Sequence, residues 1–221
     1  MALSHSPRIV TDGLVLCLDS GNTKSYVGSG TTWRDLSGRG NTGTLTNGPT
    51  YSSANGGSIV FDGTNDGVSL PTITPTGGVT FSAFIYINGN NLNFGSVFAN
   101  WDDTGSKPYW IGTVNNNATS INVYFNGSLI SAFTSLSYYT WIKMTVSHNG
   151  SVCNGYINGD LKFSSSSTLT TSSYVTSIGY DINRTNYPFK GNIAQAFIYN
   201  RALSAAEISQ NFNALRGRFS I

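Results

Sequence analysis

The chain has 221 residues, a length that fits one large all-β domain or two small ones. Charged residues are 10% of the chain and aromatic residues 13%, which excludes a disordered protein, because disorder goes with high charge and few aromatic residues. The net charge of +2 comes from scattered basic residues, so nucleic acid is not expected as a partner, since phosphate binding needs a clustered basic surface.

The beginning of the chain predicts an arm and no export signal. Residues 1–12 lack a basic-then-apolar signal peptide, and no stretch of about 18 apolar residues could span a membrane. We expect residues 1–12 to be an N-terminal arm and 13–221 to form one domain. Cys17 and Cys153 fall in predicted strands, so we expect two buried free thiols, as in a reducing cytoplasm.

Strand signals then recur about every ten residues. The apolar run at 14–18 predicts a strand buried on both faces. Along 79–87 the odd-numbered residues are apolar and line one face. In 141–147 the even-numbered residues are apolar and the others mixed, which predicts a half-buried strand of an antiparallel sheet. Further strands are predicted at 58–61, 68–70, 96–100, 109–114 and 120–125.

Three Asn-Gly dipeptides separate β-rich segments. They are Asn126-Gly127, Asn149-Gly150 and Asn158-Gly159. Asn and Gly tolerate the positive φ of a type I′ turn, so each dipeptide predicts a two-residue hairpin turn. Many short strands with turns between them indicate a sandwich or jelly roll.

The end of the chain predicts a strand, a turn and a helix. The strand passes through Phe197 and Tyr199, and the helix opens at Ser204, which with Glu207 has the spacing of a capping box. The pattern as a whole predicts an all-β chain, an antiparallel two-sheet β-sandwich of jelly-roll type with a short C-terminal α-helix. The apolar face of that helix is formed by Ile208, Phe212 and Leu215.

Catalytic chemistry finds little support in the residues. A glycoside hydrolase needs two carboxyl groups flanking the scissile bond, but the only Glu is Glu207, which the capping box accounts for. The neighbours Asp102 and Asp103 would point to opposite faces of an extended segment. His148 lies beside a predicted hairpin turn with no group to orient it for catalysis, so we expect a polar cap at a strand end.

Binding chemistry is better represented, in two segments that combine aromatic rings with Asn, Asp and Arg. These are residues 101–110 and 181–188. Rings can stack on the apolar face of a sugar while amides bond its hydroxyl groups. The alternative is that Trp101 and Trp110 pack in the core and the polar residues merely solvate loops. The candidate ligand-binding residues are Trp101, Asp102, Asp103, Tyr109, Asn183, Arg184 and Tyr187.

Four segments carry a resemblance to the laminin-G-like branch of the concanavalin A superfamily. They are residues 13–22, 33–41 with 43–45 after it, 59–66 and the ending from 191 to 219. The resemblance implies a jelly roll, a fold that carries lectins, adhesion modules, carbohydrate-binding modules, hydrolases and virion proteins, so it implies no single function.

Within this branch, the first two segments look most like copies in tailed-phage structural proteins. The resemblance therefore implies a non-catalytic virion protein that decorates a capsid, assembled in the host cytoplasm. Its partners would be capsid or tail subunits, in a homo-oligomeric assembly to which the arm contributes by reaching a neighbouring subunit. The alternatives are a tail-fibre module that binds host surface glycans and, disfavoured by the single Glu, a glycoside hydrolase.

The resemblance also suggests where a calcium site would lie. Many members carry acidic residues after the glycine-x-isoleucine of the last strand, where this chain has Ala194 and Gln195. Calcium prefers six to eight oxygen ligands with several carboxylates among them. We therefore expect no cofactor of the usual family type, and the remaining calcium candidates are Asp19, Asp62 and Asp66.

Overall fold

The computed structural model describes residues 7–74, 77–89, 94–101, 107–114, 117–170, 176–181 and 187–221. The elements, in chain order, are β1 (Leu14–Asp19), β2 (Thr32–Trp33), β3 (Gly43–Thr46), β4 (Thr50–Ser52), β5 (Ser58–Asp62), β6 (Gly67–Ser69), β7 (Val79–Ile87), β8 (Gly95–Asn100), β9 (Tyr109–Val114), β10 (Asn117–Phe125), β11 (Ser128–Phe133), β12 (Trp141–His148), β13 (Val152–Ile157), β14 (Asp160–Ser166), β15 (Ser177–Ile178), β16 (Lys190–Tyr199) and α1 (Ala205–Leu215), with 3₁₀ helices at Ala54–Gly56 and Arg216–Phe219.

Two antiparallel sheets form a sandwich, which confirms the predicted fold class. In the first sheet the order is β14-β13-β12-β7-β16-β5-β4, and β1 pairs with the C-terminal half of β16. In the second sheet the order is β11-β10-β9-β8-β15-β6-β3-β2. The inner faces of both sheets meet in one large apolar core. The odd-numbered residues of β7 and the apolar even-numbered residues of β12 lie in that core, as the period of two predicts.

The prediction that β12 is half-buried is wrong, because its outer face is covered as well. The segment after β16, helix α1 and the C-terminal 3₁₀ helix lie against the outer face of the first sheet. The Trp141 ring lies 4.8 Å from that of Phe219, and the Ser147 hydroxyl donates to the Leu203 carbonyl at 3.0 Å. The small hydroxyl side chains of this face are therefore buried with hydrogen-bond partners, as buried polar groups require.

Two of the three predicted hairpin turns are confirmed. Asn126-Gly127 joins β10 to β11 and Asn158-Gly159 joins β13 to β14, each with positive φ at both residues. The third is wrong by one residue. The Asn149 N–H bonds to the Val152 carbonyl at 3.1 Å, so the turn is centred on Gly150 and Ser151, and only its glycine has a positive φ.

The C-terminal helix begins as the sequence predicts. The Ser204 hydroxyl accepts from the Glu207 N–H, and the Glu207 carboxylate accepts from the Ser204 N–H, which completes the capping box. Ile208 is buried against the outer face of the first sheet, with Leu215 packed beside it. The predicted helix face is therefore confirmed.

The described part of the arm, residues 7–12, packs on α1 of its own chain. The Val10 N–H donates to Asn211 Oδ1 at 2.7 Å, and Gln210 Nε2 donates to the Arg8 carbonyl at 2.7 Å. Asp12 forms an ion pair with Arg201 at 2.9 Å. These contacts hold residues 7–12 against their own chain, and the reach of the arm to a neighbouring subunit stays a prediction.

Both cysteines are buried free thiols, as predicted. They lie on opposite faces of the first sheet, because Cys153 belongs to the core whereas Cys17 packs in the cluster under α1. Burial raises the pKa of each thiol to about 12. Among the described residues, no helix is long and apolar enough to cross a membrane.

Candidate functional site: an aromatic pocket on the second sheet

The outer face of the second sheet carries a row of side chains across three strands. In β9, Tyr109 and Ile111 point into the core, so Trp110 between them points outward. Strand pairing places Trp110 beside Ala99 of β8 and Tyr124 of β10. The small side chain of Ala99 next to two large rings leaves a depression in this face.

The Trp110 ring is held in place by a polar and a steric contact. Its Nε1–H donates to the Ser96 hydroxyl at 2.7 Å. A Cβ on Gly112 would lie 2.6 Å from Trp110 Cζ2, so the ring can lie over the strand only because residue 112 is glycine. Ser96 also donates its backbone N–H to the Tyr187 carbonyl at 2.9 Å, which ties Tyr187 to the same strand.

Five aromatic rings enclose the depression, and Trp110 lies at their centre. Its centroid is 5.8 Å from Phe94, 5.8 Å from Tyr124 and 6.0 Å from Tyr187. Trp101 joins through Tyr124 at 5.7 Å, with ring planes 88° apart. All these pairs meet edge to face, the geometry that the aromatic quadrupole favours, so the rings support one another as a rigid frame.

The frame encloses an apolar cavity of about 170 Å³ lined by those five rings. Trp101 and Trp110 keep only 8% and 4% of their surface exposed. Both rings line the cavity, and the rest of each ring is covered by protein. The Lys107 Nζ lies 5.7 Å from the Trp101 ring centroid, a cation–π contact at the edge of the site.

Two of the predicted ligand-binding residues meet here. Trp101 and Tyr187, which are 86 positions apart, both line the cavity. Asp102, Asp103, Asn183 and Arg184 lie outside the described residues. In the sequence they sit next to cavity residues, because 102–106 directly follow Trp101 and 182–186 directly precede Tyr187.

Tyr109 is not part of the pocket, which corrects its assignment as a ligand-binding residue. Its ring is 1% exposed in the core, and its hydroxyl shares a hydrogen bond of 2.8 Å with Thr176. Burial raises its pKa above the ordinary value. The cause is strand alternation, since Tyr109 and Trp110 must face opposite sides of β9.

Three cavity residues were not among the predicted site residues. Trp110 belongs to the segment 101–110 that was predicted to bind, with core packing as the alternative, and it lines the cavity. The position of Tyr124 follows from β10, where Ile121, Val123 and Phe125 lie in the core and the residue between them must face outward. Phe94 lies just before β8, where no periodic pattern marks its direction.

The three calcium candidates do not converge. Asp19 pairs with Gln195 and Asp62 with Lys190 on the same strand β16, which separates them by roughly 15 Å along the strand. Asp19 is bound to Arg218 at 2.6 Å. Asp62 and Asp66 accept backbone N–H groups within their own turn. Among the described residues no three His, Cys, Asp or Glu side chains form a metal-binding group.

The side chains of Glu207 and His148 are both engaged in structural contacts. The Glu207 carboxylate binds the Arg201 guanidinium at 2.6 Å, which with the cap lowers its pKa to about 2. His148 is fully buried, directly opposite Cys153 on the neighbouring strand. Its Nδ1 accepts from the Gly150 N–H at 2.9 Å, so Nε2 carries the proton and donates to the Ser167 hydroxyl at 2.8 Å.

Comparison with known proteins shows that the chain has a widespread fold. A family model described as the concanavalin A-like lectin/glucanases superfamily matches residues 62–209. No curated protein sequence matches at a significant level. By structure, 370 solved chains match, so the fold is too common to identify a function.

Three of these solved structures illustrate the range. Domain 4 of the extracellular arabinanase AbnA from Geobacillus stearothermophilus, solved with arabinotriose, has a TM-score of 0.70 and 19% identity, and the match covers 90% of this chain and 97% of that one. The binding domain of Paraclostridial Mosquitocidal Protein 1 has a TM-score of 0.71 and 19% identity, with coverage of 92% and 52%. A Trypanosoma rangeli sialidase has a TM-score of 0.72 and 14% identity, with coverage of 96% and 34%.

Proposed function

Because the family model matches about two thirds of it, the chain belongs to the concanavalin A-like lectin/glucanase superfamily, and from this premise we propose that the aromatic pocket binds a carbohydrate without cleaving it. The observation that carries the proposal is the enclosure of one cavity by Phe94, Trp101, Trp110, Tyr124 and Tyr187. Five rings around a depression on a sheet face present C–H-binding surfaces from several directions.

The size and polarity of the pocket fit one sugar ring. A cavity of about 170 Å³ is below the range of about 300–1,000 Å³ of drug-sized sites, so it would hold a single residue of a longer glycan. Hydroxyl groups of that residue need polar partners outside the aromatic walls. Three segments that adjoin cavity residues in sequence, 90–93, 102–106 and 182–186, are rich in Asn, Asp, Ser and Thr and would supply them.

A binding role fits the residues better than hydrolysis. The only Glu of the chain is engaged by Arg201 and by the helix cap. The carboxyl groups nearest the pocket in sequence are the adjacent Asp102 and Asp103, whose spacing does not suit a pair flanking one bond. The resemblance in fold to an arabinanase domain solved with arabinotriose and to a toxin binding domain supports a module that recognises a ligand.

The test is a glycan array followed by calorimetric titration, with arabinotriose as the first soluble probe. Trp101→Ala and Tyr187→Ala should each weaken binding of the best glycan at least tenfold, because each removes one wall of the cavity. Reducing-sugar release should stay at background throughout.

Trp141→Ala is the matched control, since Trp141 is also 8% exposed but packs on the first sheet under the C-terminal 3₁₀ helix. It should lose stability and keep full affinity. An array without hits, or equal loss of affinity in Trp141→Ala and Trp101→Ala, would contradict the proposal.

A role in a virion, with capsid or tail subunits as partners, stays a prediction from the resemblance of residues 13–22 and 33–45. The family match begins at residue 62, so it lies outside those segments. Sedimentation of the purified protein with phage capsids is the measurement that decides it, and host-surface binding lost in Tyr187→Ala would favour attachment over decoration.

A further inference from the structure

A second cavity lies on the opposite side of the sandwich from the aromatic pocket. It opens where the C-terminal 3₁₀ helix approaches the end of β1, and its volume is about 630 Å³, within the range typical of small-molecule sites. Gln195 lines it from β16. Gln195 is directly opposite Phe84, which stacks on Phe219 outside the core, so both face the outer side of the first sheet.

The charged groups at this cavity neutralise each other. Arg218 Nη1 lies 2.6 Å from Asp19 Oδ1. The same guanidinium donates to the carbonyls of Asn55, at 2.8 Å, and Gly57. The guanidinium also makes the site unfavourable for a metal cation. A charged ligand therefore gains little here, and the cavity suits a neutral one.

Gln195 leaves one buried acceptor at the cavity without a partner. The side chain is 2% exposed, and its Nε2 donates to Asp19 Oδ2 at 2.7 Å. A carboxylate can only accept, so the amide orientation is fixed and Oε1 must point away from Asp19. Within the described residues, Oε1 has no hydrogen-bond partner. A buried acceptor left unbonded lowers stability, and a ligand donor would satisfy it.

We propose that this polar cavity is a second ligand site, for a neutral hydroxyl-rich compound such as a mono- or disaccharide. A ligand hydroxyl donates to Gln195 Oε1. The exposed side chains of Asn22, Thr23 and Asn213, which also line the cavity, bind further hydroxyl groups with amide and hydroxyl groups of both polarities. Because the two cavities lie on opposite faces, the site is independent of the aromatic pocket.

The test is two-dimensional NMR with glucose, galactose, mannose and N-acetylglucosamine as probes, each added up to about 100 mM, well above a millimolar dissociation constant. At least one sugar should cause saturable shifts in the Gln195 side-chain amide and the Thr23 and Gly217 backbone amides. Gly217→Trp should weaken this binding at least tenfold. Gly217 lines the cavity, and a Cβ there meets no atom within 4 Å, so the position has room for a side chain and we expect the indole to occupy part of the cavity.

Ala206→Trp is the matched control, because Ala206 is exposed on the first turn of α1 and does not line the cavity. It should bind as the wild type does, and so should Trp101→Ala. Absence of saturable shifts with all four sugars, or full binding in Gly217→Trp, would overturn the proposal. Shifts confined to the aromatic pocket would also overturn it while leaving the proposed function intact.

Discussion

Lys143 is a residue whose burial opposes its charge. It is 2% exposed on the outer face of the first sheet, and its Nζ lies 5.3 Å from the Phe84 ring centroid and 5.7 Å from that of Phe197. Two aromatic faces attract an ammonium group, but they replace its hydration only in part. Burial therefore lowers the pKa of Lys143 from 10.5 to about 7.

This lowered pKa predicts a stability that rises with pH. Between pH 7 and 10.5 the unfolded chain binds the proton and the folded chain does not, so the free energy of unfolding increases over that window and gains nothing from Lys143 below pH 7. Lys143→Met should raise the free energy of unfolding at pH 7 by about 2 kcal/mol. Urea unfolding at pH 6 to 9 measures both curves, and parallel curves for wild type and variant would contradict the assignment.

His148 has a consequence of the same sign in a lower pH range. Its ring is enclosed by Phe125 at 4.8 Å and by its two hydrogen bonds, and burial lowers its pKa from 6.5 to about 4. The folded-state pKa is depressed, so the contribution to stability is complete above pH 6.5 and is lost as the pH falls to 4. NMR titration of the imidazole should give an apparent pKa near 4, and a value near 6.5 would mean that the ring is hydrated.

At the scale of elements, the C-terminal 3₁₀ helix is held by the packing of Phe219 on the first sheet and by the polar contacts of Arg218. Arg218 binds Asp19 and two carbonyls of the 54–57 turn. A Cβ on Gly21 would lie 2.6 Å from the guanidinium carbon, so the approach depends on glycine there. Arg216, two positions earlier, is exposed and contacts the Phe212 ring instead.

Arg218→Ala should therefore lower the free energy of unfolding by about 3 kcal/mol, because it removes the charged partner of Asp19 and the donor to two carbonyls. Arg216→Ala is the paired control and should change it by less than about 0.5 kcal/mol, as exposed ionic groups do. Thermal and urea unfolding of the two variants under one buffer measure the difference. Equal effects would mean that the tail is held by packing of Phe219 and not by the ion pair.

Several features of the strands and the helix could be predicted from sequence patterns alone. The period of two placed the core residues of β7 and β12 correctly, and the capping box placed the start of α1. The same pattern did not predict that the outer face of β12 is buried as well. Thr145 and Ser147 are typical of a solvent-facing strand side, but α1 and the loop before it cover them. Their hydroxyl groups bond to Ser82 and to the Leu203 carbonyl, partners that are distant in sequence and cannot be read from the strand.

At the scale of the whole molecule, the site depends on long-range assembly. Sequence composition indicated Trp101 and Tyr187 as binding residues. The two rings line one cavity because the backbone at Tyr187 bonds to Ser96 of β8. Local sequence patterns do not predict this long-range contact. The outward direction of Tyr124 could be predicted from the alternation of β10. No sequence pattern predicts the direction of Phe94, which lies just before β8. The calcium candidates failed for the same reason, because strand register separates Asp19 from Asp62 and Asp66.

The aromatic pocket and the polar cavity lie on opposite outer faces of the fold. The central claim is that the aromatic cavity is the carbohydrate site. The chain has four tryptophans, and they divide cleanly: Trp101 and Trp110 line the cavity, Trp33 is buried in the core and Trp141 lies under the C-terminal 3₁₀ helix.

Fluorine NMR of protein labelled with 5-fluorotryptophan tests this claim most directly. Titration with the best glycan from the array should shift the resonances of Trp101 and Trp110 saturably and leave those of Trp33 and Trp141 in place. A shift of Trp141 with the other three unchanged, or no shift at saturating glycan, would contradict the account.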